Sequence, residues 1–265
     1  MDEPTEAQLI ERFHLLFLRV LAPSRGQTWF VLKGGANLRY FFGSVRYSND
    51  VDLDSISKEG WQVDDLVTKV LEGSALTTML RQAKIAVVDY THTQSTGTTQ
   101  RWKLGLTRTG VPSGNVRTKI EFSVRGGAST DYVLEQVPNA IVDPYALMAP
   151  SLLHYQDTAA TDQKIAALAL RSETKARDVF DLELLFRRRR ASRGNLPALS
   201  TVHAKEAARR AQAVTYASYR SEVLSFIDTA VREIYGAEAA WDEMRSSVAE
   251  KLEELAAESR GDRGP

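Results

Sequence analysis

The hydrophobic pattern changes period once, near Pro150, and this change constrains the fold more than any other feature of the chain. Before it, apolar runs alternate with polar residues and are separated by gaps rich in Gly, Ser, Thr and Pro, the two-residue period of half-buried strands. After it, Ala, Leu, Glu and Arg recur at helical spacing. Such a chain reads as α+β, with a small mixed sheet followed by a helical bundle. We therefore expect a first domain over residues 1–150 and a helical domain over residues 151–265, in a chain long enough to bury a substantial core.

Thr5-x-x-Gln8 matches a capping box, and Leu9, Phe13, Leu16, Phe17 and Val20 follow at helical spacing, which predicts an amphipathic helix ending near Pro23. Thr28 to Leu32 reads as a strand, Gly34-Gly35 as a turn, and Ala36 to Phe42 as a short helix. A strand around Val51 and Leu53 precedes a predicted helix from Val63 to Ala83. Strands are then expected at Lys84 to Thr91, Thr99 to Thr107 and Val116 to Val124. In the second half, helices are expected at Gln163 to Arg171, Ala176 to Arg190, Lys205 to Tyr235 and Ala237 to Glu258. Ser192 to Ser200, with Gly194 and Pro197, reads as a flexible connection and Gly261 to Pro265 as a loose tail.

Composition removes several chemistries. The chain has no cysteine, which excludes disulfides, thiolate zinc sites and cysteine nucleophiles, and its four histidines are scattered. Any metal should therefore be held by oxygen. Lys plus Arg and Asp plus Glu are equal at 34 each, so net charge does not argue for nucleic-acid binding. The longest basic run, Arg187 to Arg190, suits the last turn of a helix. Glu11, Arg12 and Arg19 interrupt the first apolar segment, which is neither a signal core nor a membrane span, and a cytoplasmic location is expected.

Asp50-x-Asp52 is the central chemical feature. Two-residue spacing on a strand points both carboxylates the same way, where together they can hold magnesium through oxygen. Taken alone the motif is weak, because Asp-rich turns are common. Gly34-Gly35 lies between a strand and a helix start, where bare backbone N–H groups let phosphate oxygens approach; the plain alternative is a turn. Lys164 shares a helix face with Leu168 and Arg171 and could project over the sheet toward a triphosphate. Asp178 and Asp181, near a helix start, could simply complement the helix dipole.

Taken in order, Lys33-Gly34-Gly35 and Arg46-x-Ser48-x-Asp50-x-Asp52-Leu53 resemble the first motif of the AbiEii-type nucleotidyltransferase toxins, which include the MenT toxins. Lys164-x-x-Ala167-Leu168-x-x-Arg171 and Lys175-x-Arg177-Asp178-x-x-Asp181-Leu182 are similar to the lysine and Arg-Asp segments that follow in that family. The matches span Lys33 to Leu182. Ala36 departs from the Ser or Thr that often follows the paired glycines, which removes a hydroxyl contact to phosphate.

The resemblance implies a polymerase-beta-like nucleotidyltransferase domain followed by helices. It implies magnesium, with manganese as a substitute, held by Asp50 and Asp52, and a nucleoside triphosphate bound by Gly34, Gly35, Arg46, Ser48, Lys164 and Arg171. Asp178 joins the active site, and Glu121, flanked by apolar residues in Lys119-Ile120-Glu121-Phe122, is placed like the third carboxylate of such enzymes. Either Glu121 or Asp178 would activate the acceptor. A cognate antitoxin and a tRNA 3′ end as acceptor are further implications. A small-molecule nucleotidyltransferase of the aminoglycoside-modifying kind, and a binding module that has lost catalysis, are the alternatives.

Overall fold

The structure is a computed structural model and describes residues 4–22, 29–96, 98–110, 114–124, 130–192 and 203–261. The chain divides into two compact units, Met1–Phe41 with Tyr47–Tyr155, and Phe42–Arg46 with Gln156–Pro265.

The first unit opens with α1 (Glu6–Leu21), whose start is the expected capping box: the Thr5 side chain accepts from the Gln8 N–H and the Gln8 side chain accepts from the Thr5 N–H. Then come β1 (Phe30–Lys33), α2 (Gly34–Phe41), β2 (Asp50–Ser55), α3 (Gly60–Glu72), α4 (Ser74–Gln82), β3 (Ile85–Thr96), β4 (Thr99–Arg108), β5 (Val116–Ser123), β6 (Tyr132–Gln136), a single turn α5 (Asn139–Val142) and β7 (Ser151–Tyr155). All seven strands form one sheet in the order β3-β4-β5-β2-β1-β7-β6. It is mixed: β1 pairs antiparallel with β2 and parallel with β7, and β2 pairs parallel with β5.

Strand alternation gives the sheet two unlike faces. Leu32, Val51, Leu53, Ile120, Phe122 and Trp102 point into one core with Phe13, Phe17 and Leu18 of α1, all with no exposure. Trp29 stacks on Phe122 at 5.3 Å between centroids. Burying side chains of this size contributes roughly 1.5–3 kcal/mol each, which anchors α1 beneath the centre of the sheet. Residues of opposite parity, among them Asp50, Asp52, Asp54, Lys119, Glu121, Arg101 and Lys103, face the other way.

The second unit contains α6 (Asp157–Leu170), α7 (Ala176–Ser192), α8 (Ala204–Ala213), α9 (Tyr216–Glu222), α10 (Thr229–Tyr235) and α11 (Glu238–Gly261). Its core gathers Ile165, Leu168, Val179, Leu182, Tyr219, Trp241 and Leu252. Trp241 stacks on Tyr219 at 4.3 Å.

Several boundaries differ from the sequence expectation. The single helix predicted from Val63 to Ala83 is two, because Gly73 takes an extended conformation (φ −74°, ψ 147°) that caps α3 and begins α4. A side chain at Gly73 would meet the Lys69 carbonyl at 2.6 Å, so only glycine fits that corner. The helix predicted from Lys205 to Tyr235 is three: Thr215 caps α9 by accepting from the Ser218 N–H, and Ile227 is extended enough to bridge to Arg46. The sheet is larger than expected because β6 and β7 join it. β7 is buried continuously over Leu152-Leu153-His154-Tyr155, without the alternation that marks a half-buried strand. Pro23 and Thr28 lie outside the described residues, as do 193–200 of the Ser192–Ser200 connection, including Gly194 and Pro197, and 262–265 of the tail.

Candidate functional site

The polar face of the sheet is a grid of charges set by strand register. Lys33 pairs with Asp52, Asp52 with Glu121, and Glu121 with Arg101, so one row runs Lys33, Asp52, Glu121, Arg101 across four strands. The next row is Asp50, Lys119, Lys103. Residues paired across a ladder share a face, with β-carbons roughly 4.5–5.5 Å apart, close enough for every charge in the grid to interact with its neighbours.

Of the four carboxylates Asp50, Asp52, Asp54 and Glu121 on this face, three are neutralised within the sheet. Asp50 faces Lys119 Nζ at 3.2 Å. Glu121 accepts from Arg101 Nε at 2.7 Å and lies 3.7 Å from Lys119 Nζ. Asp54 pairs with Lys33 and accepts from the Tyr155 hydroxyl at 2.7 Å. Burial, reinforced by the Asp54 charge, raises the Tyr155 phenol well above its ordinary range, so it stays protonated and donates. Asp52 is the exception: among the described residues no hydrogen bond or ion pair engages its carboxylate, although it is half-buried.

The chain turns from β1 into α2 directly beside this carboxylate. Gly34 has φ +69°, and a β-carbon there would lie 2.6 Å from Asp52 Oδ2. Glycine is therefore required twice, by backbone conformation and by contact. Gly34 and Gly35 are the first two residues of α2, an eight-residue helix whose early N–H groups have no helical acceptor. Asn37 Nδ2 ties α2 to the Tyr155 carbonyl at 2.9 Å, and Phe41 stacks on His154, which holds the turn against β7. Ser48 donates to the Asp50 carbonyl at 2.8 Å, bracing the entry to β2.

The second unit carries a separate, denser cluster. Asp178 and Asp181, one turn apart near the start of α7, have no exposure, and Lys164 of α6 bridges them at 2.9 and 2.6 Å. Arg46 adds Nη2 contacts to both Asp181 oxygens at 3.2 and 3.1 Å, and Arg171 closes on Asp178 at 2.8 Å. Burial alone would raise the Asp181 carboxyl, but the Arg46 and Lys164 charges outweigh it and hold it below its ordinary range. Lys164 is thus no solvated lysine. Arg171, 41% exposed in its side chain, is the cation of this cluster most open to solvent.

Among the residues picked from sequence, the structure brings Gly34, Asp50, Asp52 and Glu121 together in the first unit. It brings Arg46, Lys164, Arg171 and Asp178 together in the second. Arg101, Lys119 and Tyr155, which complete the charge grid, were not singled out, because strand parity places them on the polar face but only register says whom they meet. The arginine run is largely engaged: Arg187 pairs with Glu183, Arg188 donates to the Phe42 carbonyl, and Arg189 is buried beside Asp157 and Thr158. No helix among the described residues is long and apolar enough to cross a membrane.

This arrangement can be set beside known proteins. The family model described as nucleotidyl transferase AbiEii toxin, type IV toxin–antitoxin system, matches residues 16–260. No curated protein matches the chain. Among solved structures, JHP933 from Helicobacter pylori is 18% identical, with 99% of this chain and 100% of that one covered at a TM-score of 0.58. A putative nucleotidyltransferase from H. pylori is 19% identical, covering 96% and 99% at 0.57. The nucleotidyltransferase toxin MenT4 of Mycobacterium tuberculosis H37Rv is also 19% identical, covering 95% and 88% at 0.57. At these identities the likeness to the solved structures establishes a shared fold. The family match runs through both units and over every residue of the charge grid and the buried cluster, and the chain belongs to the AbiEii family of nucleotidyltransferase toxins.

Proposed function

We propose that this chain transfers a nucleoside monophosphate from a nucleoside triphosphate to the 3′ end of a tRNA, releasing pyrophosphate, as the cytoplasmic toxin of a toxin–antitoxin pair. The observation that carries this reading is the Asp52 carboxylate, left without a partner beside a glycine turn while the three carboxylates around it are neutralised.

The residues fit a divalent cation. Asp50 and Asp52 present oxygen only, on one face, and no group of three His, Cys, Asp or Glu suited to a metal occurs among the described residues. Such a two-carboxylate set suits magnesium, or manganese in its place, which commonly takes one or two carboxylates and completes its shell with substrate phosphates and water. When bound, the ion supplies charge neutralisation to the triphosphate.

The chain's own groups do the rest. The N–H groups of Gly34 and Gly35 bind phosphate oxygens at the positive end of α2. Lys164 and Arg171, contributed by the helical domain, supply further charge, with Asp178 and Asp181 orienting the Lys164 ammonium. Arg46 and Ser48 act at one remove, Arg46 by holding Asp181 and Ser48 by bracing β2. We assign Glu121 as the acceptor of the proton from the attacking hydroxyl, because it is the register partner of Asp52 and partly open, whereas Asp178, likewise held by two cations, is fully buried. Catalysis of this kind rests on positioning and electrostatics, which matches a site without an activated nucleophile.

The test is incubation of purified protein with each labelled nucleoside triphosphate, magnesium and total tRNA, with a panel of aminoglycosides in parallel. Label on RNA 3′ ends is the expected result. Label on the drugs, or on nothing, overturns the acceptor assignment.

A further inference from the structure

Lys33 passes over the carboxylate that strand register sets opposite it. In the antiparallel β1–β2 ladder Lys33 stands against Asp52, while Asp54, on the same face, stands against Val31. A directly opposed pair has its β-carbons roughly 4.5–5.5 Å apart and diagonal neighbours stand at roughly 7–8 Å, so register alone would join Lys33 to Asp52. The ammonium pairs instead with Oδ1 of Asp54 and donates to the Ser123 hydroxyl at 2.8 Å. Asp52, half-buried, keeps no partner among the described residues.

Two residues from other strands hold this diagonal arrangement. Tyr155, at the end of β7, donates its hydroxyl to Asp54 Oδ2 at 2.7 Å, which leaves Oδ1 to the lysine. Ser123 of β5 is the register partner of Asp54, so its contact draws the ammonium toward the row of Asp54 and away from that of Asp52. The Tyr155 donor is itself fixed: it has no exposure, and its ring meets that of Tyr132 edge to face at 6.4 Å between centroids.

We propose that Asp54 is a positioning residue that keeps Asp52 open: supported by Tyr155 and Ser123, it captures Lys33 and so withholds from Asp52 the cation that register sets opposite it. The inference rests on the reading of Asp50 and Asp52 as a divalent-cation site. An ammonium paired with Asp52 would occupy the oxygens that a metal ion needs, and the ion would have to displace it. With the lysine drawn aside, Asp52 stays charged and uncompensated at the glycine turn. A purely structural Lys33–Asp54 salt bridge is the plainer account, and the two differ in what removing Lys33 does once the Asp54 charge is gone.

The test is manganese binding to the full-length protein without nucleotide, read from the electron paramagnetic resonance signal of the free ion, with a melting curve for each variant. Asp54→Asn, nearly equal in volume, should weaken manganese binding about tenfold, because Lys33 turns to the nearest carboxylate still unmatched. Lys33→Gln should bind at least as tightly as wild type, and the double variant should recover the affinity that Asp54→Asn loses. Tyr155→Phe keeps the Asp54 charge but removes its anchor, so it should shift affinity in the same direction by less, and it carries the same comparison with Lys33→Gln if Asp54→Asn does not fold. Affinity indifferent to these changes, or a loss that Lys33→Gln does not restore, overturns the proposal and leaves the cation site standing. A wild type that binds no manganese overturns both.

Discussion

The polar sheet face and the cluster at the start of α7 use the same residue types, Asp against Lys and Arg, to opposite effect. In the cluster, Asp178 and Asp181 are buried and fully matched by Lys164, Arg46 and Arg171. On the sheet, Lys33, Lys119 and Arg101 answer Asp54, Asp50 and Glu121, and Asp52 is left over. A buried, matched charge holds a structure together because removing either partner strands the other in a medium that solvates it poorly. An unmatched, partly open carboxylate contributes nothing of that kind and repels its neighbour. Completeness of pairing, rather than charge itself, is what distinguishes the two regions.

The strongest way to break this comparison is Asp52→Asn. If the unmatched carboxylate is functional, transfer should fall about a thousandfold while the melting temperature stays level or rises, since relief of Asp50–Asp52 repulsion offsets little else. Wild-type rates in the purified variant would sink the reading. The converse belongs to the cluster: Asp181→Asn leaves Arg46 and Lys164 facing a neutral amide in a buried site and should cost about 3–5 kcal/mol in denaturant unfolding. A loss below about 1 kcal/mol would mean that water reaches the cluster and that its burial is not energetic.

Acid should act on the buried titratable groups of both units. His14, buried and bonded to Thr118 at 2.7 Å, is pushed down to about 3 by desolvation. The unfolded chain takes up this proton below about pH 6.5 and the folded chain does not, so stability is full above that pH and falls toward pH 3 by up to about 1.4 kcal/mol per unit. Asp181, depressed by its cations, contributes stability that is full above the ordinary carboxylate range and lost only as pH falls below it. Urea melts of wild type and His14→Gln between pH 7 and 4 should show the slope reduced in the variant. Parallel slopes would place the acid sensitivity elsewhere.

The mildest change is Gly34→Ala, which forces a non-glycine residue to φ +69° and presses a methyl group toward Asp52 Oδ2. A stability loss of about 1 kcal/mol is expected. Activity should fall further than that loss explains, because the turn that presents the α2 amides must shift. Equal activity at reduced stability would show that Gly34 serves the turn and not the site.

Local periodicity carried the parts of this protein that short-range physics decides. The capping box at Thr5 and Gln8, the switch from strand to helix patterning, and the common face of Asp50 and Asp52 each depend on residues within one or two turns of one another. The same rules missed the corner at Gly73, where a glycine inside a helical pattern was tolerable by propensity but decisive in context. They also missed β7, which is short and buried on both faces and so has no period to read. Partner choice lay beyond them altogether. Asp54 accepts a hydrogen bond from Tyr155, 101 residues away, Asp181 is neutralised by Arg46 from 135, and four carboxylates that look alike in sequence become three matched and one open only when strand register and helix packing set their neighbours. The sequence determined which charges share a face; the tertiary structure decided which of them are cancelled, because pairing between distant residues depends on how the whole chain closes.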